Sequence, residues 1–330
     1  MAFLYLTEQG SVLRKTGERL VVEKRRQVLL DVPAAKLDAV LVFGNVQVTT
    51  QALAELLDQG VELAFLSLSG KLRGQLTPPK ARNVPLRMKQ YEAAHDEALC
   101  LGLAREVVRA KIGNSVAVLR RFRRNHPEVL APDEIEDVEH SLAGVETAAT
   151  LDSLRGFEGI AAARYFRCLS TLVPPDFAFQ GRSRRPPRDP VNALLSFGYV
   201  LVGNELQSLL DAMGFDPYLG FYHSLDYGRP SLALDLLEEL RAALVDRWTV
   251  SLLNLGVMNK ADFTTTAEGG VLLGRDGMRR YFPAFEKQMA TPFAVDGEEL
   301  TFRQVFRRQA ERLARTLVSG EPYRSFRLPC

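Results

Sequence analysis

Cysteine is scarce in this chain: Cys100, Cys168 and Cys330 are the only three in 330 residues, far apart and odd in number. They supply neither a disulfide framework nor a CxxC zinc pattern, which points to a reducing compartment. An excess of either charge is missing too. Forty-two basic residues stand against 40 acidic ones, a net charge of +2, so only a local concentration of charge could argue for a polyanionic partner. Long hydrophobic runs are absent. The most apolar stretch, residues 191–203, is broken by Asn192, Ser196 and Gly198 and then meets Asn204 and Glu205, too short and too polar to span a bilayer. The start MAFLYLTEQG has no basic segment leading into a long apolar one, so no signal peptide is read. A cytoplasmic protein with no membrane partner is expected. No P-loop, no GxGxxG followed by an acid, no Ser-His-Asp order and no solenoid repeat stands out.

What is present is ordinary globular composition, 46% apolar and 25% charged, over a length suited to two domains of roughly 100–200 residues each. In SVLRKTGERLVVEKRRQVLLDV, short β-branched and leucine runs alternate with charges around a Thr16-Gly17 turn, a hairpin or meander pattern. LDAVLVFG predicts a buried strand ending at Gly44. TTQALAELLDQG predicts a helix capped by Thr49 or Thr50 and stopped at Gly60, and VELAFLS predicts a further strand before a turn at Gly70. Pro78, Pro79 and Pro85 then punctuate the chain. Beyond them the periods are helical, apart from the proline- and arginine-rich stretch PPDFAFQGRSRRPPRDP. The fold class is therefore α+β: a small N-terminal β-rich domain over 1–80, a linker at 81–86, and a larger all-α domain over 87–330.

Three places could carry chemistry. In DSLRGFEGIAAARYFRCLS, helical spacing puts Glu158 in the middle of a stripe formed by Ala161, Ala162, Tyr165, Phe166 and Leu169. A carboxylate on a packed face must be paired, protonated or bound to a metal; a buried salt bridge with an arginine and a metal site are both open. Gly156, Gly159 and Ala161 leave room for close approach. In SLALDLLEELRAAL, Leu236, Leu237, Leu240, Ala243 and Leu244 share one face, with Asp235 and Glu238 on the other and Glu239 at its edge. That pattern is either a solvated acidic face or half of a divalent-cation site. His223 sits in the loop DPYLGFYHSLDYGRPSL, either as a surface hydrogen-bonding residue or as a ligand; His95, His126 and His140 receive no role.

The basic residues are more informative than the total. Arg105, Arg109, Lys111, Arg120, Arg121, Arg123 and Arg124 share one helical region with few acids. Arg182, Arg184, Arg185 and Arg188 crowd the proline-rich stretch. In LTFRQVFRRQAERLARTL, Phe302, Phe306, Leu313 and Leu317 form an apolar side, and Arg303, Arg307, Arg308, Arg312 and Arg315 spread over the rest. Such clusters fit phosphate oxygens, although solvated helix faces or a codon bias towards arginine would give the same pattern.

Together, GFEGIAAARYF, PVNALLSFGYVLVGNEL and GFYHSLDYGRPSLALDLLEELR, preceded by VLVFGNVQVTTQALAELLDQGVELAFLSLSGKLRGQL, resemble the CRISPR-associated spacer-acquisition integrase, the family numbered one among CRISPR-associated proteins. The resemblance spans residues 1 to 330. It implies a divalent-metal site of Glu158, His223 and Glu238, holding Mg²⁺ or Mn²⁺, with Asp235 as a further acid that either ligates or supports. Asn192, Tyr199 and Arg229 match recurring family positions nearby. Arg120, Arg121, Arg124, Arg182, Arg184, Arg185, Arg188 and Arg229 become the expected DNA contacts.

The activity so implied is a metal-dependent DNA integrase and endonuclease, joining 3′-hydroxyl ends of captured DNA to the repeat borders of a CRISPR array. The implied partners are a second copy of the chain paired through the β-rich head, the small adaptation protein numbered two, double-stranded DNA with single-stranded ends, and CRISPR repeat DNA. A separate trimming nuclease is left open. Two alternatives stand beside this reading: a stand-alone metal-dependent nuclease on branched or single-stranded nucleic acid, and a non-catalytic DNA-binding scaffold in which Glu158 is only an ion-pair residue.

Overall fold

The computed structural model describes residues 3–68, 70, 72–77, 83–183 and 186–329. Arg184 and Arg185, the first two residues of the 81–86 segment, and Cys330 lie outside the described residues. The chain divides into two compact units, one of Met1–Lys80 with Met278–Glu286, the other of Ala81–Gly277 with Lys287–Cys330.

The first unit is built from β1 (Phe3–Leu6), β2 (Val12–Thr16), β3 (Arg19–Lys24), β4 (Gln27–Pro33), β5 (Ala39–Phe43), β6 (Gln47–Val48), α1 (Thr50–Asp58), β7 (Glu62–Leu66) and β8 (Leu72–Leu76). They form two four-stranded sheets, ordered β1-β5-β7-β8 and β4-β3-β2-β6. The meander falls where the sequence predicts it. Gly17 takes φ +60° between β2 and β3, a conformation that costs glycine no steric clash. Thr49 caps α1 by accepting the N–H of Ala52. Leu13, Leu20, Val40, Leu56 and Leu63 are fully buried in one core. β4 is the exception. It is an edge strand whose Val28, Leu29 and Leu30 are all exposed.

The second unit contains α2 (Val84–Ala93), α3 (Glu97–Asn125), α4 (Pro132–Thr147), α5 (Leu151–Thr171), α6 (Pro190–Met213), α7 (Ser231–Glu238), a π-helical segment (Arg241–Asp246) and α8 (Arg247–Asn254). Then come β9 (Phe263–Thr265), β10 (Val271–Leu273), α9 (Arg275–Ala290), β11 (Phe293–Val295), β12 (Glu298–Leu300) and α10 (Phe302–Ser319).

Three details differ from the sequence reading. Residues 84–86, read as linker, already belong to α2, because Pro85 sits in the first turn, where its missing N–H leaves no bond unmade. The region read as all-α carries two short hairpins, β9–β10 and β11–β12. The stretch Met278–Glu286 of α9 groups with the β-rich unit: Phe282 stacks on Tyr5, ring centroids 4.2 Å apart, a long-range pairing that leaves no local signal.

By length and composition α6 could cross a membrane, yet 61% of its most apolar stretch is buried inside the protein. It serves as a core helix. α10 turns Phe302, Phe306, Leu313 and Leu317 inward as its spacing predicts. Arg303, expected on the outer face, is buried instead and grips Glu205 with two bonds of 2.9 Å. The stretch after α10 has no regular structure but is pinned along its length. Leu328 N–H donates to Asn114 Oδ1 at 2.8 Å, and Phe326 N–H donates to Glu239 at 2.6 Å.

Candidate active site

α5, α7 and the loop before α7 carry the four sequence-predicted acids and imidazole, and the fold brings them together. The acidic face of α7 is not solvated: Asp235, Glu238 and Glu239 are 3%, 4% and 0% exposed. Each has a separate set of partners.

Asp235 holds the histidine loop. Its Oδ2 accepts the backbone N–H groups of Phe221 at 2.6 Å and Tyr222 at 3.0 Å, and its Oδ1 accepts that of His223 at 2.9 Å. The same Oδ1 lies 2.7 Å from His223 Nδ1. A carboxylate already taking three donors acts as the acceptor, so the ring proton resides on Nδ1, leaving Nε2 with its lone pair in the neutral ring. Gly220 makes this approach possible. A Cβ there would lie 2.6 Å from Asp235 Oδ2 and 2.8 Å from the carbonyl carbon of Ser231. The glycine of GFYH is thus a requirement of space.

Glu238 faces the other way. Its Oε1 is 3.6 Å from His223 Nε2 and 2.9 Å from Arg241 Nε, while its Oε2 is 2.6 Å from Lys111 Nζ. Lys111, on α3, also pairs with Glu158 Oε1 of α5. The two carboxylates, from different helices, therefore converge on a single ammonium. The salt bridge open to Glu158 in the sequence is made, with a lysine rather than an arginine. Burial alone would raise the Glu238 carboxyl, but Arg241, Lys111 and His223 outweigh it and hold it well below the usual carboxylate range. Burial likewise opposes the charge on Lys111, and Glu238 and Glu158 more than restore it.

The residues present fit a divalent ion by the chemistry of their donors. Glu158 and Glu238 offer oxygen, and His223 offers a nitrogen turned away from its own proton. Glu238 Oε2 is buried without a directed hydrogen bond despite the nearby lysine. As the side chains stand, no three His, Cys, Asp or Glu groups among the described residues surround one open point, for Lys111 fills the place between the two acids. Asp235 is fully engaged with the loop, so it supports the histidine and Glu238 is the acid free to ligate.

Behind these groups lies a cleft lined by Lys111, Glu158, Tyr165, Arg182, Tyr199 and Arg241. The π-helical segment begins at Arg241, whose guanidinium lies 4.4 Å from the Tyr199 ring centre, and ends at Asp246, which accepts the Tyr199 hydroxyl. Burial pushes the Asp246 carboxyl up to about 6, against the lowering pull of Tyr199, Tyr165, Arg182 and Arg241. Glu239, one residue past Glu238, turns to the opposite side. It takes the Tyr323 hydroxyl at 2.5 Å, Gln309 at 2.9 Å and Phe326 N–H at 2.6 Å, and burial raises it to about 7.

The basic residues divide. Arg105 donates to the carbonyls of Val145 and Ala148, Arg109 pairs with Glu106 and Glu146, and Lys111 is committed to the acids. Arg120 is exposed and pairs with Glu139 at 2.6 Å; Arg121 and Arg124 are exposed on the same end of α3. Arg182 turns inward, bonded to Asn192 Oδ1 at 2.7 Å and Ser196 Oγ at 3.1 Å, with its guanidinium 5.2 Å from the Tyr199 ring centre. Asn192 organises that loop, taking Ser183 N–H and donating to Gly181 O. Arg188 is exposed and reaches the Glu268 carbonyl, and Arg229 is half-buried. Arg184 and Arg185 lie outside the described residues. Sequence reasoning missed the site roles of Lys111, Arg241 and Asp246. Arg241 alone had a signal, three residues beyond Glu238 on a helical pattern.

Comparison with known proteins agrees along the whole chain. The family model described as CRISPR associated protein Cas1 matches residues 4–287. A CRISPR-associated endonuclease Cas1 of Thermus thermophilus is 36% identical over 323 residues, covering 97% of this chain and 95% of the relative. Another, from Chlorobaculum tepidum, is 36% identical over 321 residues and covers 94% of both. Among solved structures, a casposase bound to integration product superposes with a TM-score of 0.88 at 26% identity, covering 100% of this chain and 94% of the other. With the acids of α5 and α7 and the imidazole between them converging in one place, the matched sequence and matched fold lead to one assignment: this chain belongs to the Cas1 family of CRISPR-associated proteins.

Proposed function

We propose that the chain is a metal-dependent DNA integrase and endonuclease of CRISPR adaptation. It joins the 3′-hydroxyl ends of captured DNA to phosphodiesters at the repeat borders of a CRISPR array. The observation that carries this reading is the convergence of Glu158 and Glu238 on one cationic point, with His223 Nε2 turned towards Glu238 by Asp235. Family membership and the fold shared with a casposase captured with its integration product support strand joining as the reaction.

Glu158, Glu238 and His223 Nε2 would hold a Mg²⁺ or Mn²⁺ ion, which supplies Lewis-acid polarisation of the attacked phosphate. Asp235 fixes the ring tautomer and orientation of His223, and Arg241 fixes the rotamer of Glu238. Both leave the ligand atoms pointing at the substrate side. Gly156 and Gly159 flank Glu158 with open space where a Cβ would stand, so a DNA backbone can come close to α5. Exposed Arg121, Arg124 and Arg188, together with Arg120, hold duplex phosphates without reading sequence. A Tyr or Ser nucleophile is not needed, since the attacking hydroxyl belongs to the DNA.

A second copy of the chain pairs through the β-rich unit, where β4 offers an unpaired edge and exposed Val28, Leu29 and Leu30. The small adaptation protein numbered two joins such pairs into the complex that spans a repeat, in the cytoplasm. The Lys111 bridge favours one other reading, a DNA-binding scaffold in which Glu158 is an ion-pair residue only.

A gel assay separates the two. A short duplex is mixed with repeat-bearing plasmid, the small partner protein and Mn²⁺, with and without chelator. Chelator-sensitive joined product is expected. Joining that survives chelation overturns the metal-dependent mechanism, and DNA binding with no joining supports the scaffold.

A further inference from the structure

The Lys111 ammonium stands between two carboxylates that belong to other helices, Glu158 on α5 and Glu238 on α7, and its side chain is only 16% exposed. We propose that Lys111 is a resident counter-cation of this site: it holds Glu158 and Glu238 together while no divalent ion is bound, yields them when one enters, and thereby sets how tightly the ion is held. The proposal rests on the reading that these two acids are ligands.

Three observations carry it. First, the point on which both carboxylates converge is occupied by Nζ, which is why no open cluster of ligand groups remains there. Two carboxylates cannot keep a divalent ion and an ammonium on the same oxygens, because the cations would repel each other strongly at contact distance in a poorly hydrated place. One must leave.

Second, the two cations touching Glu238 are not equally movable. Arg241 is fixed by its contact with the Tyr199 ring and its pairing with Glu238 Oε1. Lysine carries a compact charge on a flexible four-carbon stem and has no ring contact here. Lys111 is the one that can retreat.

Third, without Lys111 the two acids would face one another at close range, and like charges so placed push apart. The ammonium therefore keeps the ligand oxygens aimed inward in advance. The fold gains a preassembled site, and the ion must displace a resident charge to use it. Lys111 is a positioning residue in this scheme and forms no bond to substrate.

The test uses the full chain and Mn²⁺ alone, read by the electron paramagnetic resonance of free Mn²⁺ and by thermal unfolding, with no DNA. Lys111→Met removes the charge at nearly the same length. Lys111→Gln, which keeps N–H donors for the acids, guards against a variant that fails to fold. Both are expected to bind Mn²⁺ about ten-fold tighter or more, because the ion no longer competes with a bound ammonium. Their melting points should be lower than wild type without ion and should rise further on adding it. Glu158→Gln is titrated in parallel in the wild-type background. If Glu158→Gln binds Mn²⁺ as well as wild type, the ligand assignment itself fails. If it binds more weakly while both Lys111 variants bind no tighter than wild type, the ion site stands and the counter-cation role is overturned.

Discussion

His223 is held by Asp235 at two points, through its backbone N–H at 2.9 Å and its ring Nδ1 at 2.7 Å, both on the same carboxylate oxygen. One side chain thus sets both where the loop lies and which way the ring turns. Asp235→Asn replaces an acceptor by a donor in a place where every neighbour donates. Mn²⁺ affinity and strand joining are expected to fall by about 10–100-fold rather than vanish, the usual scale for a residue that orients a ligand. Mn²⁺ titration of the folded variant checks it.

Glu158→Gln and His223→Ala remove groups assigned to the ion. Strand joining should fall by at least about 100-fold, equivalent to several kcal/mol of transition-state stabilisation. Duplex DNA binding in a filter or gel-shift assay should stay within about two-fold, since phosphate contacts come from other residues.

Arg121 and Arg124 are exposed at the C-terminal end of α3, away from any acid that claims them in a recorded ion pair. Replacing both by alanine is expected to weaken DNA binding equally for all sequences and to reduce the slope of log affinity against log salt by about 2, roughly one per phosphate contact. Binding measured over a salt series decides this.

The Arg303–Glu205 pair is buried and doubly bonded, with side chains 7% and 9% exposed. Arg303→Ala leaves a carboxylate stranded and should cost about 3–5 kcal/mol, whereas Arg303→Met with Glu205→Leu should recover most of that. Urea unfolding of the single and double variants measures both.

Burial raises the Glu239 carboxyl from 4.5 to about 7. Between those two values the folded protein holds a proton that the unfolded chain has released, so this group makes stability fall as pH rises through the window. Below 4.5 it has no effect, and above 7 its penalty is constant. Asp246, raised to about 6, contributes in the same sense. Glu239→Gln should therefore show a flatter decline of melting temperature from about pH 4.5 to 7 than wild type. Parallel thermal unfolding across that range is the measurement.

Local pattern was enough for the β-rich meander, the Thr49 cap and the inward face of α10, because each depends on turn residues or on spacing within one element. It also singled out Glu158, Asp235, Glu238 and His223. What it could not supply was distance between elements. Lys111 lies 47 residues from Glu158 along the chain and reads as one more cation on a basic helix. Arg303 looked solvent-facing because its partner, Glu205, is 98 residues away. The acidic side of α7 looked hydrated because nothing within that helix reveals that the Phe221 and Tyr222 amides close over one acid and the Tyr323 hydroxyl over another. The π-helical turn gives no signal in the hydrophobic period, which passes through it unbroken.

That widened turn makes length, rather than residue identity, the sensitive quantity between Arg241 and Asp246. Deleting a single residue there would relax it to an ordinary helix and rotate everything that follows by about 100° against the ligand-bearing turn before it. Side-chain replacements in this stretch should grade smoothly from mild to severe. A one-codon deletion should act as an on–off switch, scrambling the spatial phase between Glu238 and Asp246 even if every remaining side chain is native.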